Sequence, residues 1–388
     1  MRGSVQKRGK GWRLVFDLDR DHTGRRRQRV IMFKGNKRDA EAELGGILAE
    51  IKNGGFVDPG NVTVAEYLTH WLEHVATKTS AKTHERYEEI VRLSFVPHLG
   101  AIKLSKLRPM DIQGLYATAL KSGHMQREGG LSPRTVLHYH RILSQALKQA
   151  VKWQLLLRNP ADAVEPPRPE YREMVVLDED QTAALIDRAR GTLLYIPVLL
   201  AVSTGMRRGE VLALRWSDID LDRGAVAVMQ TLEKSRKHGL RFKHPKTKKS
   251  RRNITLPSIT IDALRKHRAE QAELYLRLGC GWDEKGLVCG RYDGGPINPN
   301  TLTSAFASLV RRTDIPQVTF HGLRHTHATA LFRDGVHPKI AQERLGHSTI
   351  AVTLDLYSHV MPGMQEDAAM RVDTALRAAL GKRTRNEN

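Results

Sequence analysis

"HGLRHTHATALFRDGVHPKIAQERLGHSTIAVTLDLY", residues 321 to 357, decides how the rest of the chain is read. It holds His321, Arg324, His325, His327, His347 and Tyr357, and no Asp or Glu adjoins the first cluster. His321 and Arg324 are three apart and share a helix face, with His325 beside them. Ser348 and Thr349 cap a short predicted helix that ends at or near Tyr357. His321 and His325, four apart, also have the spacing of two metal ligands on a helix. Yet no HExxH occurs, and no nearby carboxylate completes a ligand set. Core histidines satisfied by hydrogen bonds are the plainer alternative. What reaction uses imidazoles, an arginine and a phenol without a local carboxylate or thiol has to be learned from the remaining sequence.

At 388 residues, two or three domains of roughly 150 residues are expected. A hydrophobic fraction of 40% supports packed cores. Sixty-three Lys and Arg against 42 Asp and Glu leave a net charge of +21. Self-repulsion of that size opposes compaction, so a polyanionic partner is expected, and nucleic acid fits best. Cys280 and Cys289 form no CxxC pair, which excludes a zinc ribbon or a disulfide framework and points to a reduced compartment. "MRGSVQKRGKGWRLVF" has no apolar signal core, and no run of about 18 apolar residues occurs. A soluble cytoplasmic protein with no membrane partner is the expectation.

Residues 1–58 read as a small β-plus-helix unit. "GWRLVFDLD" alternates Trp12, Leu14, Phe16 and Leu18 on one face, "DRDHTG" turns, and "QRVIMF" returns. A shorter strand is placed around Val5, and a helix follows with Asn36 as cap and Gly54 as stop. Residues 62–165 read as a bundle of about four helices. In the first, Val64, Leu68, Trp71, Leu72 and Val75 make one stripe behind a Thr63 cap. The Ser132–Pro133 pair opens the last. Prolines 160, 166, 167 and 169 interrupt any continuing helix, and residues 166–174 are a linker. Residues 175–388 form the largest unit, with mixed α and β patterns. The fold class is therefore multidomain and mainly α with small β-sheets.

In "STGMRRGEVLALRW", residues 203–216, Thr204 and Gly205 break one helix, so Arg207 sits at the opening of the next. Free backbone N–H groups there suit a phosphate oxygen, and Glu210 can orient the guanidinium. An ordinary surface ion pair is the bland alternative. Residues 233–252 carry ten Lys or Arg against one acid and lie between strand-like segments, as a basic hairpin would. Lys246, Lys248 and Lys249 compete to be the lysine it pushes toward a phosphate. Arg25, Arg26 and Arg27 form a second basic cluster expected to touch nucleic acid.

Two arginines, several imidazoles, a lysine and a tyrosine fit phosphoryl transfer. Arginine forks match phosphate oxygens, and a tyrosine can be the nucleophile. A phenol of pKa about 10 costs roughly 4 kcal/mol to ionise at neutral pH, which fixed cations and a base can supply. No metal or nucleotide is required, which accounts for the missing carboxylates.

"TGMRRGE", "PKTKKSRR", "HGLRH", "LGH" and the tyrosine of "TLDLYSH" resemble, in order and spacing, the tyrosine recombinases of phage-integrase type. The match spans roughly residues 175–360, with ten residues from His347 to Tyr357. The resemblance implies that Arg207 and Arg324 clamp the scissile phosphate, that His321 shares the proton of Tyr357, and that His347 donates to the phosphate. Tyr357 would form a 3′-phosphotyrosine, Lys246 would protonate the leaving 5′-oxygen, and Glu210 would support. Lys248, Lys249 and Arg251 would contact DNA beside Arg25, Arg26 and Arg27. Residues 1–58 would be an arm-type DNA-binding β domain, 62–165 a SAM-like core-binding domain, and 175–388 the catalytic domain with a C-terminal exchange helix at 366–380.

By the same resemblance the protein would integrate, and excise, a mobile element as a homotetramer on double-stranded DNA attachment sites, through a Holliday junction. It would need no cofactor, neither metal nor ATP. A DNA-bending protein and a directionality factor are its accessory partners, and the nucleoid of a prokaryotic host its place of action. A type IB topoisomerase with similar residues, and a catalytically idle DNA-binding regulator, are the competing functions.

Overall fold

The alternation of apolar residues near the amino terminus builds a three-stranded antiparallel sheet, β1 (Gly3–Arg8), β2 (Gly11–Leu18) and β3 (Arg27–Phe33), with β2 central. Register pairs Leu14 with Val5 on one side and Ile31 on the other. Leu14 and Phe16 are buried against Ala40, Leu44 and Ile47 of α1 (Lys37–Lys52). Asn36 caps that helix, its side-chain oxygen accepting from the Asp39 N–H at 2.8 Å. In this computed structural model the described residues are 3–9, 11–18, 27–52, 61–123, 128–170, 174–244, 251–279, 281–347, 349–351, 353–354, 369–370, 372–374 and 376–377. The "DRDHTG" turn, residues 19–24, and the Gly54 stop lie outside them.

The chain divides into two compact units, residues 1–170 and 171–388. Beyond the small sheet, the first unit is helical: α2 (Val64–Ala76), α3 (Ala81–Ile90) running through a π-helical turn at Val91–Phe95 into α4 (Val96–Leu99), α5 (Pro109–Ser122) and α6 (Pro133–Lys152). Thr63 and Glu66 form a reciprocal capping box on α2, and Ser132 caps α6 with Pro133 in its first turn. The stripe on α2 is buried at Val64, Leu68, Trp71 and Val75, packing with Phe95, Leu99, Tyr116 and Leu143. Full burial of side chains of this size contributes about 1.5–3 kcal/mol each.

The second unit opens with α7 (Glu179–Ala189), α8 (Tyr195–Thr204) and α9 (Arg208–Val211). Six consecutive residues of α8, Ile196 to Ala201, are buried, as a helix apolar all round must be. Strands β4 (Ile219–Asp220), β5 (Ala225–Val228) and β8 (Arg252–Thr255) make an antiparallel sheet in that order, with Val226 opposite Ile254. Strands β6 (Thr231–Ser235) and β7 (Gly239–Lys243) form a separate hairpin. The basic stretch thus divides. Its first part is the β6–β7 hairpin, tied by a Lys243–Glu233 ion pair, and residues 245–250 lie outside the described ones. Helices α10 (Ser258–Arg277), α11 (Pro299–Val310), α12 (Gly322–Arg333) and α13 (Pro338–Leu345) follow. Helix α12 packs on α8 and on α13, and His327 and Leu345 come close to Gly205 at the end of α8. No helix among the described residues is long and apolar enough to cross a membrane.

Candidate active site

Glycines end two helices of this unit against each other. Gly205 closes α8 in the left-handed conformation, φ 65°, and Gly346 closes α13 likewise, φ 68°. A Cβ on Gly205 would lie 2.6 Å from Leu345 Cδ2 and 2.7 Å from His327 Cδ2, so only glycine permits the approach. Arg207 follows in an extended conformation as the N-cap of α9. Its own N–H donates to Glu210 Oε2 at 2.9 Å and its Nη1 to Glu210 Oε1 at 2.9 Å. The sequence predicts free N–H groups at this helix opening. Instead the N–H of Arg207 is taken by Glu210, and the turn is four residues long. What the opening supplies is orientation of the guanidinium.

Glu210 is 4% exposed and is held from its other side by Arg252, whose Nη2 donates to Oε2 at 2.9 Å and Nη1 to Oε1 at 3.3 Å. Each carboxylate oxygen therefore accepts two N–H groups, which fills its lone pairs. Burial raises the pKa of Glu210, but the bonds and charges of Arg252 and Arg207 outweigh it, and the net shift is downward. The group stays ionised.

The C-terminus of α13 gathers three arginines on three successive carbonyls. Arg252 Nε donates to Arg344 O at 2.7 Å, Arg324 Nη2 to Leu345 O at 2.7 Å, and Arg207 Nη2 to Gly346 O at 3.3 Å. The last carbonyls of a helix lack intrahelical partners and carry the negative end of its dipole, so cations there are favoured. Arg324, 3% exposed, also donates from Nη1 to Gly205 O at 2.7 Å. Burial, and then the charge of Arg207, draw its pKa down to about 9, which leaves it a cation at neutral pH.

The imidazoles surround this cradle in the neutral form. His321 immediately precedes α12, and its ring meets that of His325 edge-on at 5.0 Å. Lost hydration, then Arg324, Arg207 and Arg208, lower the pKa of His321. His325 falls to about 4 through burial, His321 and Arg324, and its buried Nδ1 has no hydrogen-bond partner among the described residues. His347 is buried, with Nδ1 2.9 Å from Thr353 Oγ1. Burial, then Arg324 and Arg207, put its pKa at about 4. His327 is the satisfied core histidine of the plainer reading: its Nε2 accepts from Arg344 Nε at 3.1 Å. Arg344 spans on to Thr255 O and Ser203 O.

The structure thus brings Arg207, Glu210, His321, Arg324 and His347 into one unit, although Arg207 and Gly346 are 139 positions apart. Lys246, Lys248, Lys249, Tyr357, Ser348, Arg25 and Arg26 lie outside the described residues. Arg27 opens β3, and Arg251 is exposed just before β8. Among the described residues no group of three or more His, Cys, Asp or Glu could hold a metal ion. Sequence reading missed Arg252 and Arg344. The period of two in β8 puts Arg252 on the face of buried Ile254, a signal that was present.

Residues 175–363 match the family described as "Phage integrase family", and residues 63–120 match "Phage integrase, N-terminal SAM-like domain". A "Tyrosine recombinase XerC-like" protein of Caldanaerobacter subterraneus subsp. tengcongensis is 30% identical over 383 residues, covering 93% of this chain and 96% of that protein. An integrase of Saccharopolyspora erythraea is 25% identical over 378 residues, covering 82% of this chain and 85% of its own length. In fold, the chain is similar to the Tn1549 transposon integrase solved in complex with a circular intermediate DNA. The TM-score is 0.69 at 20% identity, over 80% of this chain and 100% of that one.

Proposed function

The chain belongs to the phage integrase family of tyrosine recombinases and is a site-specific recombinase of mobile elements, and from that premise we propose that the arginine cradle receives the scissile phosphate of its DNA attachment site. The observation that carries this reading is the pair of guanidiniums, Arg207 and Arg324, held on the adjacent carbonyls of Gly346 and Leu345. Two forks fixed before substrate arrives stabilise charge on a phosphorane without reorganising. Tyr357 then attacks phosphorus, the bond to the 5′-oxygen breaks, and a 3′-phosphotyrosine forms. His321, neutral in the free protein, takes the phenolic proton, and Lys246 gives one to the leaving 5′-oxygen. His347 donates from Nε2, since Nδ1 is engaged by Thr353. Religation reverses these steps, conserving the bond energy, so no ATP is consumed.

Residues 1–58 act as an arm-type DNA-binding domain and 62–165 as the core-binding domain, with Arg25, Arg26, Arg27, Lys248, Lys249 and Arg251 on DNA backbone. Four protomers exchange strands through a Holliday junction at the host nucleoid, with a DNA-bending protein and a directionality factor as accessories. Exposure of Val372 and Leu376, 59% and 57%, supports a C-terminal helix available to a neighbouring protomer. Incubation with a nicked duplex of the attachment site tests the chemistry. Wild type traps a covalent adduct, and Tyr357→Phe binds without forming one. An adduct surviving in Tyr357→Phe moves the nucleophile elsewhere. Relaxation of arbitrary supercoiled plasmid, without site preference, would mean a topoisomerase instead.

A further inference from the structure

The geometry points to Arg252 as a positioning residue for cleavage, one that sets the spacing of Arg207 and His347 by locking Glu210 to the C-terminus of α13. It rests on the reading of the cradle as the phosphate site. Arg252 and Arg251 are alike in residue type, but they part in the fold. Arg251 is exposed, whereas the Arg252 side chain is 5% exposed and spends its guanidinium wholly on protein. Both Nη atoms go to Glu210, and Nε goes to Arg344 O.

Three segments meet at that one planar group: β8, the α9 turn that carries Arg207, and the α13 terminus that precedes His347. The packing is close. A Cβ on Gly346 would lie 3.0 Å from Arg252 Cδ and 3.1 Å from its Nη1. Arg252 also divides the attention of the carboxylate. Without it, Glu210 would have Arg207 as its remaining cation, and that fork would be drawn inward, away from a phosphate. Arg252 touches no substrate atom in this account. Its effect reaches the reaction through Arg207.

Arg252→Lys keeps the charge but gives up the rigid fork that spans a carboxylate and a carbonyl together. Covalent-adduct formation on the nicked duplex is expected to fall about 10²-fold, the cost of a misplacement on the order of 1 Å, with DNA affinity within a few-fold of wild type. The deciding readout is a duplex whose scissile phosphate is a methylphosphonate. This group lacks one anionic oxygen and depends less on the arginine clamp. There the gap between Arg252→Lys and wild type narrows to a few-fold, as it does for Arg207→Ala. Equal losses on both substrates, or a loss that follows DNA affinity, overturn the proposal. If Arg252→Lys melts well below wild type, the pair Arg252→Met with Glu210→Gln removes charge and partner together, and the same narrowing is required of it. Absence of adduct in wild type sinks the phosphate reading itself. A normal rate in Arg252→Lys sinks only this inference.

Discussion

Arg324 and Arg207 hang from adjacent backbone oxygens, Arg324 on Leu345 O at 2.7 Å and Arg207 on Gly346 O at 3.3 Å. Their separation is therefore set by one peptide unit at a helix end, among the stiffest rulers a protein has. Two flexible side chains are converted into a fixed pair, so the ordering cost is met on folding and not at the moment of reaction.

Arg324→Lys breaks this arrangement most directly. One ammonium cannot reach both Gly205 O and Leu345 O and still face a phosphate, and a buried carbonyl left without a donor costs about 1–3 kcal/mol. Loss of one such donor lowers a chemical step by roughly 10²–10³. Single-turnover cleavage should fall by that factor while DNA affinity stays within a few-fold. A normal cleavage rate would remove Arg324 from the phosphate.

Two glycine substitutions should differ in how much cleavage each loses per unit of stability lost. Alanine at either Gly205 or Gly346 must hold the left-handed region, at roughly 1–2 kcal/mol. At Gly205 the new methyl also meets packed Leu345 and His327, so Gly205→Ala should lose more in urea denaturation. At Gly346 it meets the stem of Arg252, which can give way. Gly346→Ala should therefore be the milder fold defect, and the greater cleavage defect per unit of stability lost. A cleavage defect in Gly346→Ala no greater, per unit of stability lost, than that in Gly205→Ala would disconnect Arg252 from catalysis.

Acid should weaken the catalytic unit through its histidines. Burial, with Arg344 next, lowers His327 to about 4, so the fold holds it neutral while the unfolded chain takes up a proton below its ordinary value of 6.5. Its contribution is complete above pH 6.5 and is lost as pH falls through about 4. For a well-buried group that amounts to on the order of 3 kcal/mol. His347 adds loss in the same window. Melting temperature followed from about pH 7.5 down to about pH 4 should fall, and less steeply in His327→Gln. A flat profile would contradict the burial of both rings.

Binding should weaken linearly on a log–log plot against salt. Replacing Lys248 and Lys249 together by alanine should reduce that slope by about 2 if each neutralises one phosphate. Fluorescence anisotropy over a salt titration measures it directly. An unchanged slope would take this lysine pair off the DNA.

Much of the fold was legible because its signals are local. The period of two in β2, the caps at Asn36 and Thr63, and the Ser132–Pro133 opening each depend on neighbours a few residues apart. The β6–β7 hairpin within the basic run was harder to delimit, since a dense run of lysines and arginines masks strand alternation. Of the site, Arg207 with Glu210 and His321 with Arg324 could be paired by spacing alone. Arg252 could not be told from Arg251 by its residue type, and His327 could not be separated from His321, His325 and His347 by its own.

By itself the sequence determined which arginines and imidazoles this protein brings to the cradle, and the short turns that carry them. Only the tertiary structure decided that Arg252, Arg324 and Arg207 share the carbonyls of residues 344, 345 and 346. The reason is physical. Those acceptors are backbone oxygens, the same in every residue, so nothing in the letters marks them. They become distinctive only when Gly346 ends α13 and leaves its last carbonyls in search of donors from elsewhere in the chain.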